Sequence, residues 1–411
     1  MSTQSKNIVS IIDIGTTKIC VIIARTSPGM QFEVLAIGHA PSKGLQKGVV
    51  VDIPSTVHSL HKAITQAEQI ANIKIENVCI GIAGSHISSL NSAGAVPIKR
   101  GVISQSDIDA ALEGAKAIAI PEGKQVLHVL AQAFFIDGKH VANPIGMHAI
   151  RLEVNAHIIL GAISSVEDLI SCCKQAGVGV SQIVLEQIAS SKAVLSQDEC
   201  QLGVGLVDIG GGTSDFAVFH KGSIIHTMVL PIAGNHFTHD LAIGLRVTIN
   251  QAEQIKKEHA CVVEERDYPI EAEMVHGLDK QIIMQSDIVS IVQPRARELL
   301  TFIKNEIDEK KLLPFLTTGI VLTGGGSLLK KLPLLAEDIF SLQIRISQPQ
   351  VHCEISESLK HPKYATSYGL LAYVIAQLHK KESLLSAAMI NNTMKNKIIH
   401  TMKQWVTEFF T

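Results

Sequence analysis

Short apolar runs that end in a polar residue and a glycine recur along the chain. Ile8–Gly15 reads IVSIIDIG, and Leu202–Gly212 reads LGVGLVDIGGG, the same device about 195 positions later. A β-branched run of this length stopped by Gly predicts a strand buried on both faces. Each run is followed by a tight polar turn, Thr16-Thr17-Lys18 or Thr213-Ser214, and a second strand, KICVIIA or DFAVFH. Third strands start at Phe32 (FEVLAIGHA) and Ser223 (SIIHTMVLPIAG). Two three-stranded meanders with one loop chemistry predict a duplicated, pseudo-twofold pair of domains.

The duplication extends further. NVCIGIAGS (Asn77–Ser85) and TGIVLTGGGS (Thr318–Ser327) are strands running into small residues, preceded by helical periodicity over Val57–Ala71 and Ser286–Glu309. The stretch from Asp208 to Gly324 exceeds that from Asp13 to Gly84 by about 45 residues, so the second half carries an insertion. The first half has its own. An α+β block fills 85–163, its helix opening at a Ser104–Asp107 cap and its strand VNAHIILG closing it, before SSVEDLISCCKQAG resumes helix at Ser164. The expected division is therefore 1–84 with 164–200, the insertion 85–163, 201–235 with 294–381, the insertion 236–293, a linker over 382–392 and a separate tail, 393–411.

Composition narrows the classes. Lys plus Arg is 36 against 38 Asp plus Glu, a balance that argues against a nucleic-acid binder. No run reaches the roughly 18–20 apolar residues of a membrane span, and the polar Met1–Asn7 is no secretory signal. Seven cysteines without a CxxC spacing read as free thiols of a reducing cytoplasm, and His236 and His239 lack the partners of a zinc site.

Candidate chemistry lies in the loops. Glycines directly after an apolar strand let backbone amides approach phosphate oxygens. Gly15-Thr16-Thr17-Lys18 and Gly210-Gly211-Gly212-Thr213 sit at matching points of the repeat, with a third loop at Gly324-Gly325-Gly326-Ser327. Facing each other, the first two would grip a polyphosphate, Lys18 adding a positive charge. Asp13 and Asp208, at strand ends, would hold Mg²⁺ through its waters. There is no GxxxxGK[ST] and no GxSxG, and Gly203-x-Gly205 precedes its strand instead of following it.

The set DIGTTK, DIGGGTSDF and VLTGGGS resembles the superfamily of actin, sugar kinases and DnaK-type chaperones. KGVVVDI (Lys47–Ile53), GIAGSHI (Gly81–Ile87), LPIAGNHFTHDLA (Leu230–Ala242), AEQIKKEHAC (Ala252–Cys261), PRARELL (Pro294–Leu300) and PKYATSYGLL (Pro362–Leu371) make it similar, over essentially the whole chain, to the FtsA family of cell-division proteins. The resemblance implies an α/β, actin-like (ribonuclease H-like) duplicated fold with ATP and Mg²⁺ in the cleft. Phosphate contacts would fall on Gly15, Thr16, Thr17, Lys18, Gly211, Gly212 and Thr213. Glu253 and Lys256, with Gly324, Gly325 and Gly326, would flank the adenosine. Glu186 corresponds to the residue that positions attacking water, although Gln187 stands where chaperone relatives carry Pro; Asp13 and Asp208 complete that set.

The family also implies self-assembly into filaments, later division proteins bound through 85–163, and the C-terminal peptide of FtsZ received near 236–293. Arg295, Arg297 and Lys304, on one predicted helix, are candidates to pair with that acidic peptide. The expected role is a cytoplasmic ATP-binding adaptor, with at most weak ATPase activity, that polymerises and tethers the FtsZ ring to the inner membrane. A sugar or acid kinase of the same superfamily and an actin-like pilus-assembly scaffold are the alternatives.

The tail explains the single Trp. Advancing about 100° per residue from Met394 gathers Ile398, Ile399, Met402, Trp405, Val406, Phe409 and Phe410 within an arc of about 160°, intruded on only by Lys395. Such a helix either docks on the protein's own core or lies in the interface plane of a membrane; the linker before it and the family resemblance favour the membrane. Lys395, Lys397 and Lys403 against Glu408 leave a small positive balance. At about 1 kcal/mol per basic residue, the apolar face must supply most of the binding, and tails arrayed on a polymer add by avidity. Deleting Met394–Thr411 is expected to abolish co-sedimentation with liposomes; unchanged pelleting would overturn the assignment.

Overall fold

A computed structural model describes residues 7–27, 31–263, 267–273, 280–350 and 354–380; the tail expected at 393–411 lies outside them. The chain opens with the antiparallel meander β1 (Ile8–Ile14), β2 (Lys18–Ser27) and β3 (Gln31–Pro41). A short hairpin, β4 (Leu45–Gln46) and β5 (Val49–Val50), leads into α1 (Ile53–Ala71), and β6 (Asn77–Ile82) returns parallel to β1. Helix α1 starts at Ile53, ahead of the expected Val57, because Asp52 caps it by accepting from the Ser55 amide (3.4 Å) and Pro54 occupies a first-turn position with no amide to satisfy.

The inserted chain holds β7 (Ser88–Pro97), α2 (Gln105–Ala115), β8 (Lys124–Ile136), β9 (Lys139–Val141) and β10 (Arg151–Ala162), in a separate sheet ordered β7-β10-β8-β9. Asp107 accepts from the Ser104 amide (2.8 Å) at the start of α2, as the cap pattern predicts. After α3 (Ile163–Gln175), β11 (Gly179–Leu185) joins the first sheet parallel to β6. Helices α4 (Glu186–Val194) and α5 (Gln197–Leu202) then cross to the second half.

There the meander repeats as β12 (Val204–Ile209), β13 (Ser214–His220) and β14 (Ser223–Leu230). It is followed by α6 (Gly234–Leu245), α7 (Ile249–His259), the hairpin β15 (Pro269–Glu273) and β16 (Lys280–Met284), and α8 (Gln285–Glu309). Strand β17 (Ile320–Thr323) runs parallel to β12; α9 (Leu332–Phe340), β18 (Ile344–Ile346) and α10 (365–380) complete the body. The two large sheets share one order, β11-β6-β1-β2-β3 and β14-β13-β12-β17-β18 reading in opposite senses about β1 and β12.

Helix α8 runs through the boundary expected at 293/294. Pro294 removes one backbone bond, but Ile288, Val292, Ala296, Leu299, Leu300 and Ile303 form a buried stripe along one continuous rod.

One apolar cluster spans both halves. Ile11, Cys20 and Ile22 of the first sheet and Leu206, Ala217 and Val321 of the second pack around Ile188, Ala189, Leu370, Leu371 and Ile375 of α4 and α10. The two helices cross at Gly369, where a Cβ would stand 1.9 Å from the Ala189 carbonyl oxygen. Gly369→Ala is accordingly expected to cost about 1–3 kcal/mol, read by urea unfolding. Gly114→Ala on α2, whose Cβ would meet nothing nearer than 3.8 Å, should gain about 0.5–1 kcal/mol. Equal stability of the two variants would refute the close crossing.

Candidate functional site

The two loops that end β1 and β12 are built alike. Gly15 N donates to Lys18 O (3.0 Å), and Gly210 N donates to Thr213 O (2.9 Å). They also face each other. A Cβ on Gly211 would lie 2.3 Å from Thr17 Cγ2, and one on Gly212 would lie 2.4 Å from Thr16 Oγ1, so glycine alone permits the approach. The third loop closes on the same point: Gly324, at φ 82°, would set a Cβ 2.3 Å from Asp208 Oδ1.

Between the loops the charge is mostly negative. Asp13 and Asp208 are buried, and the hairpin register places Cys20 opposite Asp13 and Asp215 opposite Asp208. Lys18 Nζ donates to Asp13 Oδ2 (2.7 Å) and to Ser367 Oγ (3.3 Å), while Ser367 Oγ donates to the same carboxylate oxygen (2.5 Å). Thr366 Oγ1 donates to Asp208 Oδ2 (3.1 Å). Asp215 takes Gln187 Nε2 (3.0 Å) and Thr213 Oγ1 (3.2 Å).

Burial works against the Lys18 charge, but the adjoining Asp13 carboxylate keeps its pKa above the ordinary value. Burial pushes Asp208 up to about 6, with Asp13 adding to it, and pushes Asp215 up to about 8, with Asp208 adding to it. Glu186, opening α4, is raised well above the usual range by burial and by the charges of Asp13, Asp215 and Asp208. Four carboxyls thus share one ammonium. Among the described residues no three His, Cys, Asp or Glu side chains form a direct metal cage.

Asp215, Gln187, Thr366 and Ser367 were not among the residues read from sequence. Asp215 was recoverable from the hairpin register, one strand over from Asp208. Thr366 and Ser367 lie 158 and 354 positions from the acids they bond; the PKYATSYGLL run that holds them marks the family resemblance but gives no sign of those partners.

Glu253 and Lys256 sit behind the second loop. Gly234 N donates to Gly210 O (3.0 Å) and Asn235 N to Gly211 O (2.8 Å), which fixes the first turn of α6 on that loop. Lys256 Nζ donates to Gly234 O (3.1 Å) and Thr238 Oγ1 (2.9 Å) and pairs with Glu253 (2.6 Å). Burial lowers the Lys256 pKa, and Glu253 stays below its ordinary value because Lys256 and Thr238 outweigh its burial. His236 and His239 make only local bonds, to the Ala233 amide (3.1 Å) and with the Asn235 carbonyl (2.7 Å).

The three cations of α8 do not share a face. Arg295 is clamped on Asp240 of α6 (2.7 and 3.1 Å) and on Glu298. Arg297 faces Asp338 of α9 (3.8 Å), and Lys304 pairs along the helix with Asp308 (2.8 Å). At about 100° per residue, positions 295 and 304 fall on opposite sides of the rod.

Paired sheets of one order, two helices crossing between them and matched loops facing across the gap define an actin-like protein. Solved structures agree in fold: the pilus-assembly complex PilM–PilN at TM-score 0.66, 15% identity, covering 89% of this chain and 98% of that one, and MreB5 of Spiroplasma citri, solved with ADP bound, at TM-score 0.58, 15% identity, covering 92% and 99%. Residues 205–369 match the family model of cell division protein FtsA, and residues 84–160 match the SHS2 domain inserted in FtsA. The cell division protein FtsA of Pseudomonas aeruginosa is 38% identical over 98% of this chain and 99% of its own; that of Escherichia coli is 33% identical over 90% and 91%. The chain belongs to the FtsA family and is an actin-like cell-division protein. The kinase and pilus-scaffold alternatives gain no support from these relatives.

The raised carboxyls set a pH dependence. Each favours folding while protonated, so this stability is complete below the ordinary carboxylate range and is lost as pH rises through about 6 for Asp208 and about 8 for Asp215. Histidines whose burial lowers their pKa, His128 and His157 to about 4, oppose this below about pH 6.5, so the window that reads the acids alone lies above it. In chelator and without nucleotide, Tm should fall between about pH 7 and about pH 8.5, and Asp215→Asn should flatten that slope. A wild-type Tm that is flat or rising over that range would contradict the charge cluster.

Proposed function

We propose that the cleft between the two halves binds ATP with Mg²⁺, and that the nucleotide-bound chain polymerises and tethers the FtsZ ring to the cytoplasmic face of the inner membrane, recruiting later division proteins through 85–163. The carrying observation is the pair of matched glycine loops in contact, Thr16 and Thr17 against Gly212 and Gly211, over the buried carboxyls of Asp13, Asp208 and Asp215 with the half-buried Glu186 beside them. Loop amides between Thr16 and Lys18 and between Gly211 and Thr213 would take the phosphate oxygens from both sides, with the Lys18 ammonium beside them, while the Gly15 and Gly210 amides hold the loops' own turns. Asp13, Asp208 and Asp215 would receive the cation's waters, and the cation's charge would offset both phosphates and carboxylates. Glu253 and Lys256, anchored on α6, would face the adenosine with Gly324–Gly326.

Turnover at this cleft is expected to be weak at most. Nucleotide then serves chiefly to draw the halves together. The segment 393–411 would be the membrane contact; no described helix is long and apolar enough to cross a bilayer.

For the FtsZ peptide, the geometry favours Arg297 over Arg295. Arg297 is half exposed with only a long contact, whereas Arg295 is held twice by Asp240. Arg297→Glu with Lys304→Glu should weaken the peptide's affinity about tenfold or more without changing Tm, while Arg295→Glu should lower Tm by leaving Asp240 and Glu298 facing a like charge. Sedimentation on anionic vesicles, with and without ATP·Mg²⁺ and an FtsZ C-terminal peptide, tests the whole reading. ATP is expected to increase pelleting of the wild type but not of Gly212→Val, whose side chain would fill the loop contact. Indifference of the wild type to ATP would overturn the proposal.

A further inference from the structure

The inserted sheet packs Ile159, Leu127 and Leu130 against the apolar cluster that spans both halves, and two hydrogen-bonded contacts beside that packing lead toward the cleft. At the first, His128 Nε2 of β8 accepts the Leu185 amide hydrogen (3.1 Å), on the residue directly before Glu186. Strand β11 is an edge strand, so this amide has no ladder partner, and the ring must carry its proton on Nδ1 to accept it.

At the second, His157 of β10, 1% exposed, bridges Asn91 Oδ1 (2.7 Å) and Thr227 Oγ1 (2.9 Å) of β14. Gln132 Nε2 donates to the same Asn91 oxygen (3.2 Å), which makes that oxygen the acceptor, His157 Nδ1 its donor and the Thr227 hydroxyl the donor to Nε2. Ser89 Oγ donates to Thr227 O (3.2 Å), and Gln132 Nε2 to Ile224 O (3.1 Å), which occupies carbonyls of a second edge strand. The next residue, Met228, offers its carbonyl to Gln187 Nε2 (3.5 Å), the amide that also holds Asp215.

We propose that His128 and His157 are positioning residues that couple the inserted subdomain to the cleft, so that ATP·Mg²⁺ binding changes how firmly the inserted sheet is held, and a partner seated on that sheet changes nucleotide affinity by the same factor. The seam joins these hydrogen bonds to apolar packing by Ile159, Leu127 and Leu130. Apolar contact is non-directional and tolerates small shifts, whereas each hydrogen bond is specific to one register, so the bonds decide which posture of the sheet is held. Burial pushes both rings down to about 4, with His226 adding to the effect at His157, so both are neutral and keep their acceptor nitrogens.

The inference rests on nucleotide occupying the cleft, so binding and coupling are measured separately on the full chain. Titration calorimetry reads ATP·Mg²⁺ binding, and hydrogen exchange by mass spectrometry reads protection of 88–97, 124–136 and 151–162. In the wild type, ATP·Mg²⁺ should slow exchange in these strands about fivefold or more. His128→Leu, His157→Leu and Thr227→Val should still bind ATP yet show less than a twofold change, and His128→Gln, which retains an acceptor, should restore it. Thr227→Val removes a single hydroxyl and keeps the test available should a histidine variant not fold. Binding without altered exchange in the wild type would overturn the coupling alone, as would a wild-type response in His128→Leu. Absence of ATP binding would overturn the coupling together with the nucleotide reading.

Discussion

Everything at the site depends on how closely two helices cross. Helices α4 and α10 pass between the sheets with Gly369 against the Ala189 carbonyl, and α4 lies on the connection that carries the chain from the first half to the second. The crossing sets the separation of the halves, and that separation decides whether Thr16 and Thr17 reach Gly212 and Gly211. The same helices bring the chemistry: α4 opens with Glu186 and Gln187, and α10 opens with Thr366 and Ser367. A side chain at 369 would act on the cleft through geometry alone, without touching a ligand.

The second constraint is electrostatic. Burying Asp13, Glu186, Asp208 and Asp215 with Lys18 as the adjoining cation costs free energy that the protein offsets with hydroxyls, a glutamine amide and retained protons. A site strained by excess negative charge is most relieved by a cation, and a cation with its waters recruits phosphate oxygens in turn. The cluster is therefore poised for a metal–nucleotide complex more than for phosphate alone.

The two insertions differ in how they join the core. The second continues into it through α8, a single rod lined by apolar residues, so it follows the second half closely. The first docks by apolar contacts of Ile159, Leu127 and Leu130 together with hydrogen bonds centred on His128 and His157.

The duplication, the strand ends at Asp13 and Asp208, the glycine loops and the start of α2 were legible in the sequence because each is a local pattern. Apolar runs of strand length, glycine directly after them and a serine cap depend on residues within a few positions of one another. What escaped it is long-range. The helix read over 286–309 runs unbroken as α8 across the division read at 293/294, because burial along it outweighs the one backbone bond lost at Pro294. Arg295, Arg297 and Lys304 looked alike as charges on one helix, and only the neighbouring α6 and α9 separated them. Asp215 became part of the acid cluster through cross-strand register, and Thr366, Ser367, His128 and His157 through contacts between distant elements. The sequence by itself determined which backbone loops could admit phosphate. Tertiary structure decided which side chains share their charge, because burial and proximity, not residue type, set where a proton sits and what a cation can reach.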